Sequence, residues 1–129
     1  MTNDFDYFDL FSEQEKLAAY KILLELAFIG KKPDMSDFSE KSYACLEGYQ
    51  RNFKLTMADI EKAGHLKVPD DIRLLRNSSS IIKGFLPMLM YHIVCADMSD
   101  VKKKLFESIL SFIGNPGTFN DWHSAMSFK

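Results

Sequence analysis

The chain has 129 residues, 47% hydrophobic and 26% charged, so it is long and apolar enough to form one folded domain around a single core. Its formal net charge of −2 gives no electrostatic basis for binding a polyanion, which argues against nucleic acid as a partner. The first residues lack the basic and apolar regions of a signal peptide, and the apolar run over residues 81–96 is too short to span a bilayer, so we expect a cytoplasmic protein without a transmembrane segment.

The N-terminal segment, residues 1–11, alternates acidic and aromatic side chains. We expect an arm whose phenylalanines pack on the bundle; an acidic-aromatic segment that binds a partner is the alternative. Ser12 and Glu15 then match a capping box, in which each side chain accepts a hydrogen bond from the other residue's backbone N–H. The following helix is apolar nearly all round from Ile22 onward, which predicts a buried central helix ending at Gly30.

Three shorter elements follow. Apolar residues at helical spacing predict a second helix over residues 37–53, where Gly48 indicates the close approach of a neighbouring helix. Thr56 is placed to cap a short third helix. Pro69 marks the first turn of a fourth, and the two aspartates after it are well placed against the helix dipole.

The most apolar stretch, residues 80–96, predicts a fifth helix. Pro87 lies inside it and has no N–H, so we expect a kink or a late start that opens a cleft or bends the helix around the core. Ser99 caps a sixth helix, in which the lysines at 102–104 lie mostly on the solvent side. Its expected apolar stripe is formed by Val101, Leu105, Phe106, Ile109, Phe112 and Ile113.

The C-terminal segment, residues 118–129, predicts a short lid on the bundle. Asn120 is placed to cap a turn that presents Trp122 and Met126. We expect these two side chains to pack on the core; docking of a partner is the alternative.

The two cysteines, Cys45 and Cys95, lie far apart inside helical patterns. This placement predicts two reduced thiols in the core rather than a disulfide. The elements together predict an all-α fold, in which residues 1–129 form one compact bundle of five to seven helices.

The tetrapeptide Asp-Met-Ser-Asp occurs twice, at residues 34–37 and 97–100, each time between an apolar segment and an amphipathic one. Aligning the two copies places four pairs of apolar residues in the same helical phase. The pairs are Phe38 with Val101, Tyr43 with Phe106, Leu46 with Ile109, and Tyr49 with Phe112. Because each position is expected to face inward, the repeat predicts an internally duplicated helix pair.

Two junctions of the chain resemble those of the TerB-like family of tellurite-resistance proteins. They are Cys95-Ala96-Asp97-Met98-Ser99 and, more loosely, Ile29-Gly30 followed by Met35-Ser36. The resemblance covers about half the chain, residues 22–53 and 85–113, and implies two related helix pairs with an acidic cluster connected with divalent-metal binding. The chain departs from the family where Met98 replaces a glycine and lysines at 102–104 replace an early glutamate.

Asp34, Asp37, Asp97 and Asp100 form a candidate cation site if the two junctions meet at one end of the bundle, because Ca²⁺ and Mg²⁺ prefer several oxygen ligands. The alternative is that these residues cap helices and interact with helix dipoles.

His92 lies three residues before Cys95, a spacing that can serve zinc. No second close His/Cys pair is present, however, so we interpret His92 as a histidine of the core or of a cleft wall.

The sequence contains no recognisable phosphate loop, nucleophile elbow or carboxylate pair, so we expect neither an enzyme nor a cofactor. We expect instead a non-catalytic interaction or regulatory module that presents a helical groove or an acidic junction to a protein partner. The alternatives are a divalent-cation-binding stress-response protein, a small immunity or inhibitor protein that blocks a partner enzyme, and an unrecognised enzyme. The candidate binding residues are Asp34, Asp37, Asp97, Asp100, His92 and Trp122.

Overall fold

The computed structural model describes residues 7–29, 40–96, 98–115 and 117–127, and every regular element within them is helical. A short 3-10 helix, Tyr7–Leu10, precedes seven α-helices that share one core. The α-helices are α1 (Glu13–Phe28), α2 (Glu40–Asn52), α3 (Met57–Gly64), α4 (Val68–Arg76), α5 (Ser80–Ala96), α6 (Asp100–Phe112) and α7 (Phe119–Ser127). The predicted all-α bundle of five to seven helices is confirmed. None of the described helices is long and apolar enough to cross a membrane.

Helix α1 is the centre of the bundle, and α2 to α6 all pack against it. The predicted capping box is present: Glu15 N–H donates to Ser12 Oγ at 3.1 Å, and Ser12 N–H donates to Glu15 Oε1 at 2.9 Å. The hydroxyl of Ser78, in the loop before α5, donates to the other oxygen of Glu15 at 2.6 Å. This cap therefore fixes the start of α1 and ties it to the loop between α4 and α5.

The N-terminal arm packs on the bundle through an aromatic cluster. The ring centroids of Phe8 and Phe53 lie 4.8 Å apart, and those of Phe8 and Phe85 lie 5.1 Å apart, both edge to face. Phe11 is buried against Phe53 at 5.0 Å. The predicted docking of the arm is confirmed for these phenylalanines, and residues 1–6 lie outside the described part of the chain.

Local signals also determine how α3 and α4 begin. Thr56 and Asp59 form a second capping box at α3, and Pro69 lies in the first turn of α4. Of the two aspartates that follow, Asp70 is exposed, whereas Asp71 is only 4% exposed. The predicted start of α2 at residue 37 falls outside the described residues.

No helix among the described residues approaches Gly48, in the middle of α2, closely. A Cβ added there would meet, among those residues, only the Arg51 side chain at 4.0 Å. The predicted close approach is therefore not found in the described part of the chain, and the glycine lowers the helix propensity of α2.

Replacing Gly48 with alanine is expected to raise the free energy of unfolding by about 1 kcal/mol, because alanine favours the helix. The matched control is Gly114→Ala, at a position with φ of +89° just beyond the C-cap of α6. This second change is expected to lower stability by about 1 kcal/mol, because alanine disfavours that conformation. Urea unfolding of both variants measures the two effects, and shifts of the same sign would contradict the prediction.

Helix α6 buries a face that differs from the predicted one. Lys102 is 1% exposed, whereas Val101 is 48% and Phe112 58% exposed. The buried line runs through Lys102, Phe106, Ile109 and Ile113, which recur at helical spacing. The lysines at 102–104 were expected to lie mostly on the solvent side, and Lys102 does not, since its long alkyl stem can pack among apolar side chains.

Because α6 buries a different face, the predicted duplication of α2 and α6 holds for only part of their length. Leu46 and Ile109 are both buried, as the alignment of the two copies predicts. At the next pair, Tyr49 is buried and donates its hydroxyl to the Leu89 carbonyl at 3.0 Å, whereas Phe112 faces solvent. The two helices thus share a phase in their middle and differ at their C-terminal ends.

Thr118, rather than the predicted Asn120, caps α7. Asp121 N–H donates to Thr118 Oγ1 at 3.1 Å, and Thr118 N–H donates to Asp121 Oδ2 at 3.3 Å. The N–H of Phe119 donates to Glu107 Oε2 at 2.8 Å and so joins the start of α7 to α6. Asn120 is exposed and lies inside α7, two residues too late to be the cap.

Candidate functional site

The predicted acidic site falls largely outside the described residues, which omit Asp34, Asp37 and Asp97. Asp100 is exposed in the first turn of α6, directly after the N-cap Ser99. A carboxylate in this position interacts favourably with the helix dipole. Within the described part of the chain, no three His, Cys, Asp or Glu side chains are arranged to hold a metal ion.

His92 is exposed on the outer face of α5, so of the two placements expected for it, the core or a cleft wall, the core is excluded. The edge of its ring contacts Tyr91, with centroids 5.7 Å apart. Cys95, one turn later, is half-buried and free, and so is Cys45 in α2. His92 and Cys95 share a helical face, yet no third metal-binding side chain joins them among the described residues.

Trp122 packs on the core as predicted. Its ring is half-buried and meets Phe106 edge to face, with centroids 6.4 Å apart. The side chain of Met126 lies outside the described structure. Trp122 thus anchors α7, and the hollow of about 240 Å³ beside it is shallow and partly polar.

A contact between α5 and α7 was missed by the sequence analysis. The hydroxyl of Tyr91 lies 2.8 Å from His123 Nδ1, and the Phe119 ring stacks on both side chains at 5.4 and 5.7 Å. Burial, aided by a hydrogen bond with Cys95, raises the pKa of Tyr91 to about 12, so the hydroxyl keeps its proton at neutral pH. The group therefore fastens α7 to α5. The spacing of four between Phe119 and His123 was the available signal.

An apolar groove of about 430 Å³ runs along the first half of α5. We call it the α5 groove. Ile81 is half exposed, Phe85 and Met88 are half-buried, and all three lie on one face of the helix. Its lining consists of Ser80, Ile81, Gly84, Phe85 and Met88.

Small residues create the groove, and the aromatic cluster supports one wall. Among the described residues, an added Cβ at Gly84 would meet nothing within 4 Å, so the space above the helix backbone is open there. Phe85 is held from the other side by Phe8 and Phe11 of the N-terminal arm. The groove is therefore a consequence of α5 being apolar nearly all round while only part of its surface is covered.

Pro87 lies inside α5 without ending the helix. A side chain from the loop after α6 replaces the hydrogen bond that the proline cannot donate. Helix α5 starts at Ser80 and continues through Pro87, so of the two expected effects of the proline, a kink or a late start, the late start is absent. The missing N–H of Pro87 frees the carbonyl of Lys83, four residues earlier. Asn115 Nδ2 donates to that carbonyl at 3.2 Å. The loop after α6 thus completes the hydrogen bonding of α5 beside the groove.

Asn115→Ala is expected to destabilise the protein by about 1–2 kcal/mol, because the Lys83 carbonyl then loses its donor. In a Pro87→Ala background the helix can supply its own N–H, so the same change is expected to cost clearly less. A double-mutant cycle by urea unfolding measures the coupling. Additive effects of the two changes would show that Asn115 acts independently of the proline.

The α5 groove lies where two neighbouring elements, the N-terminal arm and the loop after α6, leave part of an apolar helix uncovered. A comparison of the chain with protein-family models, with curated proteins and with solved structures found no match.

Proposed function

We propose that the chain is a non-catalytic interaction module, TerB-like in architecture, that binds a protein partner in the α5 groove. The observation that carries the proposal is the exposure of Ile81 above a groove lined almost wholly by apolar side chains. Exposed, contiguous apolar surface on a folded domain is typical of interaction sites. The sequence analysis expected the partner to bind either a helical groove or an acidic junction, and the proposal takes the helical groove.

The shape of the groove favours an amphipathic helix as the bound segment. Ile81, Phe85 and Met88 recur at helical spacing, which matches the row of side chains that a second helix presents along its apolar face. The groove is open along its length, whereas sites for small molecules usually enclose most of their ligand. Gly84 allows close approach, and the flexible side chain of Met88 can adapt to the bound surface.

Site-specific photo-crosslinking in cells that naturally contain the protein tests the proposal. A photoreactive amino acid in place of Ile81 is expected to form a discrete adduct, with the attached residue on the apolar face of a helix in the partner. The same group at Met57, an 80% exposed methionine on α3, is expected to form no such adduct. If the identified partner is an enzyme, measuring its activity with and without the chain distinguishes an inhibitor from another binding protein.

Gly84→Leu provides a variant that fills the groove without harming the fold. The added side chain extends into open space, and leucine favours the helix, so stability is expected to be maintained or raised. The variant is expected to abolish the Ile81 adduct, whereas Gly48→Ala, a glycine replacement on α2, is expected to leave it intact. Equal adducts at Ile81 and Met57, or a cross-link to residues 1–6 or to a second copy of the chain, would overturn the proposal.

A further inference from the structure

Asp71 is a buried carboxyl group between helices. It is 4% exposed, and its Oδ2 has no hydrogen-bond partner in the described structure. It lies in the first half of α4, the helix that packs most extensively against α1. A buried polar atom without a partner is rare in folded proteins and costs free energy, most of all when the group is charged.

Lys21 on α1, the cation that acts on the charge of Asp71, also interacts with other groups. Its ammonium group lies 3.2 Å from Glu25 Oε2 and donates to the Gly64 carbonyl at 3.4 Å. Burial raises the pKa of Asp71 to about 7, Lys21 opposes this shift, and Asp70 reinforces it. The carboxyl therefore changes its charge near neutral pH.

The other charged groups around α4 do not change this balance. Asp70 pairs with Arg73 at 3.5 Å on the exposed side of α4. From α5, Lys83 donates to the Arg76 carbonyl at 3.2 Å, and α6 contributes the buried Lys102. Of all these groups, Lys21 and Asp70 are those that act on the charge of Asp71.

We propose that α4 is a pH-responsive element, closed against α1 while Asp71 is neutral and opened when that carboxyl ionises, because the buried anion has no donor for its Oδ2. Opening exposes Asp71 to water and uncovers Leu75, which is fully buried in the closed state. Such a local opening needs only the contacts of one nine-residue helix to break, so it can occur without global unfolding.

Native-state hydrogen exchange of the full chain between pH 5 and pH 8 tests the proposal. After correction for intrinsic exchange rates, the protection of amides 72–76 in α4 is expected to fall about 100-fold over this range, because the opening is linked to one proton below pH 7. These amides are expected to be less protected than those of α5, and their exchange to depend only weakly on low urea concentrations. Asp71→Asn is expected to remove the pH dependence, whereas Asp70→Asn is expected to keep it.

Lys21→Met is a second variant, which tests the proposal with Asp71 in place if Asp71→Asn perturbs the fold. Lys21→Met removes the cation that favours the ionised carboxyl in the closed state, so the fall in α4 protection is expected to continue to higher pH than in the parent. The proposal is overturned if α4 and α5 exchange with equal protection and equal urea dependence, which would mean that α4 opens only with the whole bundle. It is also overturned if the pH dependence persists in Asp71→Asn.

Discussion

Phe53→Ala is expected to destabilise the protein by about 3–5 kcal/mol, a large fraction of the stability of a single domain. The Phe53 side chain is 2% exposed and meets Phe8 and Phe11 edge to face at 4.8 and 5.0 Å. Its removal leaves a cavity where the end of α2 joins the N-terminal arm to the core. Thermal unfolding followed by circular dichroism is expected to show a midpoint lower by roughly 10–15 °C.

Phe112→Ala is the matched control, because it removes the same side chain from a position 58% exposed on α6. It is expected to change stability by no more than about 0.5 kcal/mol. Phe53→Ala should also release the arm from Phe85 and increase proteolytic cleavage near residue 12. If the two variants lose similar stability, or if the arm stays protected, the aromatic cluster does not hold the arm as described.

Sequence determined the helix boundaries well because caps act over three or four residues. Ser12 with Glu15 and Thr56 with Asp59 form the hydrogen bonds that their spacing predicts. The cap of α7 was misplaced by two residues, because both Thr118 and Asn120 are suitable capping residues. The choice between them depends on Glu107, which binds the N–H of Phe119 from α6.

Which face of a helix is buried was harder to predict than where the helix begins. In α6, hydrophobicity alone favours Val101 and Phe112 over Lys102, yet the lysine is buried and the other two are exposed. Phe106 and Ile109 are buried both on the predicted face of α6 and on the observed one. The sequence pattern therefore fits either face. The neighbouring helices decide, since α6 must pack against α1, α4 and α5 together.

The α5 groove and Asp71 could not be predicted for a related reason. A run as apolar as α5 predicts burial all round, and only the positions of the arm and of the loop after α6 leave Ile81 uncovered. Asp71 resembles an ordinary first-turn carboxylate in sequence, because its neighbour on α1 is fifty residues away. Both features depend on contacts between distant segments.

Stability is expected to fall by about 3 kcal/mol between pH 5 and pH 8 through Asp71 alone. The pKa of Asp71 is about 7 in the folded chain, because burial disfavours the anion, whereas an unfolded chain has a value of about 3.9. The folded state therefore binds the proton more tightly. Its stabilising contribution is complete below about pH 4, decreases as the pH rises, and is lost above about pH 7.

Asp71→Asn separates this contribution from every other titration, because the amide is neutral throughout and nearly the same shape. Urea unfolding at pH 8 is expected to find the variant more stable than the parent, with the advantage shrinking by about 3 kcal/mol at pH 5. Asp70→Asn, which removes an exposed carboxylate from the same turn, is expected to retain the fall in stability. A constant difference between Asp71→Asn and the parent at both pH values would mean that Asp71 has the same pKa in both states. In that case the carboxylate must be stabilised in the folded bundle by a donor or by water.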